Sequence, residues 1–269
     1  MDFVELENLI VIMIEKIKNR YYNKKKNVGR PVKINLEKII KGILYVLHTG
    51  CQWKFVPTSY GPKSTIYYHY KKWTNDGIFS ELWNTILLKY QEVNKYNTNL
   101  TIESIDTTFI KSIYGKDCIG RNPTDRGRNA NKLSVIVDNN SVPISLYLVE
   151  ANHHDSKLFE PTIKKRKIVT AKHSYLLADK GYSSNKNKKI CKKYNIDLIA
   201  PNKENFKTDI FTYNKKYKNR YKVESFFGLL KKYKRCQIRN DRYVIQFYAF
   251  ILLAVTCITF KKYEDITNK

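Results

Sequence analysis

Apolar residues recur at helical spacing through the first third of the chain. Val4, Leu6, Leu9, Ile10, Met13, Ile14 and Ile17 are apolar, all but Val4 on one side of a helix turning about 100° per residue, predicting an amphipathic helix over 3–20. A basic link, KKKNVGRP at 24–31, follows, and Gly29 and Pro31 interrupt any helix there. Asn35 is placed to cap the next helix, whose face is Leu36, Ile39, Ile40, Ile43, Leu44 and Leu47, and Gly50 is placed to end it. After a loop containing Trp53, Pro57, Gly61 and Pro62, Ser64 is placed to cap a third helix, STIYYHYKKW. Gly77 ends that helix, and Phe79 to Tyr90 supplies a fourth with Leu82, Trp83, Ile86 and Leu87 turned inward. Short helices joined by tight turns, one of them basic and aromatic, have the form of a helix-turn-helix, with Ser64 to Trp73 entering the major groove. An ordinary bundle with its tyrosines packed inside has the same pattern.

The period changes at the polar stretch 94–99. LTIESIDTTFI (100–110), LSVIVD (133–138) and VPISLYLVEA (142–151) read as strands, the last two joined by a hairpin turn at 139–141. A helix capped by Asp155 or Ser156 runs to Lys165, then SYLLAD (174–179) makes a short strand. Ser183 or Ser184 caps a Lys-rich helix to Tyr194, and DLIAP (197–201) is another strand. A final apolar helix spans roughly 242–262; its most apolar run, Ile245 to Phe260, is short for a membrane span and predicts a buried core helix. A meander of strands followed by alternating helices and strands predicts an α/β domain over 95–269, a mixed sheet flanked by helices, preceded by a small all-α domain over 1–94.

Between the last strand and the last helix lies KYKNRYKVESFFGLLKKYKR (216–235). As one helix it places Tyr217, Arg220 and Lys231 within about 40° of Glu224. Val223, Phe226, Phe227 and Leu230 form a second, apolar stripe beside them. Such a helix buries one flank and holds a single carboxylate among cations; a solvated basic helix with an Arg220–Glu224 pair is the plainer alternative.

Charge sharpens this picture. Lysine and arginine number 50 against 24 acidic residues, a formal net charge of +26, which points to a polyanionic partner, nucleic acid first. The abundance of Lys, Asn, Ile and Tyr also fits an A/T-rich coding sequence. The five cysteines are scattered and lack CxxC spacing, which argues against a disulfide framework or a zinc site. An acidic N-terminus unlike a signal peptide leads to the expectation of a soluble, cytoplasmic or nucleoid-associated protein without membrane contact. Serine-hydrolase, P-loop and dinucleotide fingerprints are missing, so no small-molecule cofactor is expected.

Two further acidic residues stand out by position. Asp106 lies inside the first strand, in SIDTTF, and Asp179 ends the apolar run Leu176-Leu177-Ala178 before Lys180-Gly181-Tyr182. Ligands of open α/β sheets sit off the carboxyl ends of strands, so these two and Glu224 are candidates for one divalent-cation site. Each also has a plainer reading, Asp179 as a cap and Asp106 as a strand-edge residue. His153 and His154, adjacent at a strand end, point apart and are read as the approach to a helix rather than as a metal pair.

Taken together these segments resemble the DDE transposases of bacterial insertion sequences. Tyr217-x2-Arg220-x3-Glu224-x6-Lys231 matches the Y-R-E-K signature of one branch at every spacing; SIDTTF and LLADKGY resemble its two Asp motifs. GRP at 29–31, TGCQWKFVP at 49–57 and Trp73 are similar to its N-terminal module, so the likeness runs from about Arg30 to about Phe260. The resemblance implies an RNase H-like core in which Asp106, Asp179 and Glu224 bind two Mg²⁺ or Mn²⁺ ions. It implies cleavage of double-stranded DNA at element ends and direct attack of the freed 3′-OH on target DNA, by a homodimer or larger assembly. Arg220 and Lys231 would hold phosphates and Tyr217 would position the strand end. A nuclease that never joins strands, or a former transposase kept as a DNA-binding protein, would share these motifs. The interval between Asp179 and Glu224 is too short for the insertion domain found in some relatives.

Overall fold

A computed structural model describes residues 3–21, 35–94, 101–168, 173–201 and 217–268. The basic link at 24–31 and most of the polar stretch at 94–99 lie outside them. Four helices come first: α1 (Phe3–Tyr21), α2 (Leu36–Thr49), α3 (Lys63–Asn75) and α4 (Ile78–Val93). Asn35 caps α2, its side chain accepting from the Lys38 N–H at 3.1 Å, and Gly50 closes it in the left-handed conformation at φ 69°. Helix α3 starts earlier than a Ser64 cap requires. Pro62, with φ −62°, precedes it and leaves Ser64 inside the first turn.

The sheet contains β1 (Thr101–Ser112), β2 (Gly120–Arg121), β3 (Asn129–Val137), β4 (Pro143–Glu150), β5 (Ser174–Leu177), β6 (Ile196–Ile199) and β7 (Ile238–Arg239). Strands β1, β3 and β4 form the expected antiparallel meander, and β5 and β6 add in parallel beyond β1. The order β4-β3-β1-β5-β6 is that of an RNase H-like mixed sheet. Two short strands were not foreseen: β2 pairs with the start of β3, and β7 pairs in parallel with the end of β1. A two-residue strand is too short to carry an alternating pattern.

Helices cover both faces. Helix α5 (Asp155–Lys164) and α6 (Asn185–Lys193) follow β4 and the turn after β5, while α7 (Tyr221–Lys232), α8 (Lys234–Gln237) and α9 (Val244–Thr267) end the chain. Alternate residues of β1 divide between the faces. Thr107 bonds Asp155 of α5, whereas Ser104 and Asp106 meet Asn219 and Arg220 just ahead of α7.

Helix α9 is 24 residues long and by length and composition is apolar enough to cross a membrane, yet 78% of its most apolar window is buried inside the protein. It is the expected core helix, and it joins the two parts of the chain. Tyr70 of α3 stacks on Phe250 at 4.5 Å and donates a hydrogen bond to the Gln246 carbonyl; Trp53 packs on Phe250 at 5.9 Å. Tyr90 of α4 reaches the hairpin turn, donating to Asp138 Oδ2 at 2.6 Å. The tyrosines of α3 therefore divide: Tyr70 is buried, while Tyr68 stands exposed alongside Lys71 and Lys72.

Candidate active site

The parallel pair β1–β5 sets the first two carboxylates. Ser104 is in register with Leu177, so two residues further along each chain come Asp106 and Asp179. Strand β5 stops at Leu177 while β1 continues, and β7 joins β1 only at Lys111. Between those points, this edge of β1 has no strand partner among the described residues. Asp106 stands in that opening. Its Oδ1 accepts from the Thr107 N–H at 2.8 Å. Asp179 is exposed and accepts from the Lys180 N–H at 2.7 Å, capping a 3₁₀ turn over Lys180–Tyr182 as its plainer reading required.

The third carboxylate comes from the stretch read above as one long helix. That reading is corrected: Lys218–Arg220 form a 3₁₀ turn, α7 covers only Tyr221–Lys232, and Tyr233 is extended at φ −81°, ψ 99°. The chain breaks there because Tyr233 and Arg235 both turn inward, Tyr233 against His48 and Arg235 onto Asp241 at 2.7 Å. The two stripes survive. Val223, Phe226, Phe227 and Leu230 are buried, and Glu224 and Lys231 are exposed.

Arg220 links the elements. Its guanidinium lies 3.4 Å from Asp106 Oδ2 and 2.7 Å from Glu224 Oε1. Among the described residues no three His, Cys, Asp or Glu side chains already lie close enough to hold one ion. Instead, a single organic cation sits between two of the three candidate carboxylates.

The charges around this point act on one another. Burial pushes the Asp106 carboxyl above its ordinary range; the Thr107 N–H and Arg220 pull it back, while Asp179 and Asp155 push it further up. Burial likewise raises the Tyr217 phenol, opposed by Arg220 and reinforced by Asp179, Asp106 and Glu224. Tyr217, Arg220, Asp106, Asp179 and Glu224 thus share one neighbourhood. Lys231 stands farther off, about 10 Å along the helix axis from Glu224. Oxygen donors converging on a positive charge fit a hard divalent cation.

One group of residues was misjudged from the sequence. Asp155 was expected to cap α5, but His154 does so, its Nδ1 accepting from the Ser156 N–H at 3.2 Å. Asp155 instead accepts from Thr107 Oγ1 at 3.1 Å and from Lys132 Nζ at 2.9 Å. Lys132 is buried in the middle of β3, and a buried ammonium requires an anion.

An RNase H-like sheet with Asp106 at the open edge of its first strand and Asp179 just past the adjacent parallel strand, in a strongly basic chain, is the framework of a nucleic-acid-processing enzyme. The chain belongs to the transposase DDE domain family, whose model matches residues 101–259. A second model, "Putative transposase of IS4/5 family", matches residues 14–83. The "Putative transposase for insertion sequence element IS402" of Burkholderia cepacia is 26% identical over 153 residues, covering 54% of this chain and 70% of that protein. Among solved structures, the Mos1 strand transfer complex is similar over 82% of both chains at 10% identity and a TM-score of 0.25. The Mos1 mariner paired-end complex with Mn is similar over 82% of this chain and 86% of that one, at 10% identity and 0.27. Superpositions this loose do not bear on the site. The protein is a DNA transposase of the DDE class, enzymes that generally use divalent metals to cut and join DNA strands.

Proposed function

We propose that Asp106, Asp179 and Glu224 are the catalytic carboxylates and hold two Mg²⁺ or Mn²⁺ ions while the protein cuts double-stranded element ends and joins them to target DNA. The observation that carries this reading is Arg220, bonded at once to Asp106 and Glu224, residues far apart in sequence that meet around one cation. Bound there, the ions would supply Lewis-acid activation of the attacking and leaving oxygens of phosphodiester displacement.

The chain's own groups do the rest. With Asp106 and Glu224 holding the ions, the Arg220 guanidinium would be free to grip a phosphate bidentately. Lys231, one helical stretch further along α7, meets the backbone beyond the cut. Tyr217 lies beside the carboxylates and orients the strand end carrying the 3′-OH. Residues 95–269 act as the catalytic domain and residues 1–94 as a helix-turn-helix-like DNA-binding domain, with Tyr68, Lys71 and Lys72 of α3 presented to the duplex. A homodimer or larger assembly would bring two element ends together, and the site of action is the nucleoid.

Incubating labelled element-end duplex and target DNA with Mg²⁺ or Mn²⁺ tests the reading. Joined products that disappear in Asp106→Ala, with a loss of about a thousandfold or more, are expected. Breaks without joined products would make the protein a nuclease of the same core. Undiminished activity of Asp106→Ala would remove the catalytic assignment.

A further inference from the structure

Strand β1, which carries Asp106, and the turn that carries Asp179 both meet α5. On the β1 side, Thr107 donates its hydroxyl to Asp155 at 3.1 Å and its backbone N–H to Asp106 Oδ1 at 2.8 Å. A single residue therefore ties the two carboxylates together across the sheet. On the β5 side, Tyr182 accepts the constraint: its N–H donates to the Asp179 carbonyl at 2.9 Å, and its ring packs on Phe159 of α5 at 5.6 Å.

Asp155 is itself held. Lys132, 4% exposed, donates to Asp155 at 2.9 Å and to the His153 carbonyl at 2.7 Å, and its ammonium lies 4.6 Å from the centre of the Phe109 ring. This is a charged group locked by a buried partner, the arrangement that fixes the orientation of groups around a metal centre. A plain ion pair at a helix start would not need Thr107.

We propose that Asp155 is a positioning residue of the transposase. Through Thr107 it fixes the Asp106 carboxylate. The inference rests on Asp106 being a metal ligand. Lys132 orients Asp155.

Mn²⁺ affinity of the full chain, read by electron paramagnetic resonance without DNA, tests this independently of turnover. Thr107→Val removes the hydroxyl with little change of shape, Thr107→Ser restores it, and Asp155→Asn keeps the size of the side chain. Thr107→Val and Asp155→Asn are expected to weaken Mn²⁺ binding about 10- to 100-fold, with Thr107→Ser close to the parent. Should Asp155→Asn fail to fold, the Val/Ser pair decides alone. Parent-like binding by Thr107→Val, or equal weakening by Val and Ser, overturns the positioning role. Asp106→Ala separates the two levels: if it abolishes binding while Thr107→Val does not, the ligand assignment stands and only this inference falls. If Asp106→Ala binds like the parent, the ligand assignment fails and the inference with it.

Discussion

Arg220 is the residue on which the site's resting state turns. It offers the carboxylates a cation of their own, so an incoming divalent ion competes with an ion pair already formed. Replacing Arg220 by Ala is expected to raise Mn²⁺ affinity several-fold without DNA, and to lower the rate of end cleavage because a phosphate clamp is lost. Isothermal titration and single-turnover cleavage measure the two effects, and a fall in both would contradict the competition. His69 illustrates a second residue-scale consequence. Burial holds its imidazole below the ordinary 6.5, with Lys72 adding to the shift, and neither ring nitrogen has a hydrogen-bond partner among the described residues. As pH falls below about 6.5 the unfolded chain takes up the proton first, so stability drops on the acid side and is unaffected above it. His48 contributes in the same direction. Melting temperatures at about pH 7.5 and about pH 5.5 should therefore differ less in His69→Phe than in the parent. At this scale the three candidate carboxylates were legible because each sits at a nameable place: inside a strand, at a strand end, or on a basic stripe. Asp155 was not, because its partners Thr107 and Lys132 come from two other strands and no local spacing links them.

Elements were legible where their periodicity was long. The four N-terminal helices, the three-strand meander and the core helix all appear close to where their apolar patterns placed them. The stretch 216–235 was misread because periodicity carries no information about Tyr233 and Arg235 turning into the core, a tertiary preference that breaks a continuous helical pattern. Strands β2 and β7 escaped for the opposite reason, being too short to have a pattern. Contacts between elements lend themselves to a direct check. Tyr90 of α4 donates to Asp138 and accepts from Asn140 Nδ2 at 2.8 Å, while Asp138 Oδ1 accepts the Asn140 and Val142 N–H groups. Tyr90→Phe should cost about 1.5–3 kcal/mol, the range for a hydrogen bond to a charged group, as measured by urea unfolding. A cost near zero would mean that α4 and the β3–β4 turn are held by packing alone.

At the scale of the whole molecule, a net charge of +26 and a shared apolar core shape how DNA is held. Helix α9 packs against both the N-terminal helices and the sheet, so a duplex engaged by α3, as proposed, would meet a surface joined to the proposed catalytic edge by buried contacts. Affinity for duplex DNA should fall steeply with salt, with a log–log slope of about −4 or steeper if at least four phosphates are neutralised. Neutralising Lys71 and Lys72 together with Gln should make that slope shallower by about 2, read by fluorescence anisotropy across a salt series. An unchanged slope would place the duplex elsewhere than on α3. The general fold class was legible in the order of helical and strand patterns and the polyanionic partner in the net charge; the union of the two parts through one helix was not, because a buried apolar helix does not announce which neighbours will cover it. The central claim, that Asp106, Asp179 and Glu224 gather divalent ions, is tested most directly by anomalous scattering at the manganese edge from crystals grown with Mn²⁺ and element-end DNA. The account predicts peaks about 2.1–2.3 Å from oxygens of Asp106, Asp179 and Glu224, with Arg220 moved off the carboxylates onto a phosphate. Ordered end DNA with manganese peaks away from all three side chains would contradict it.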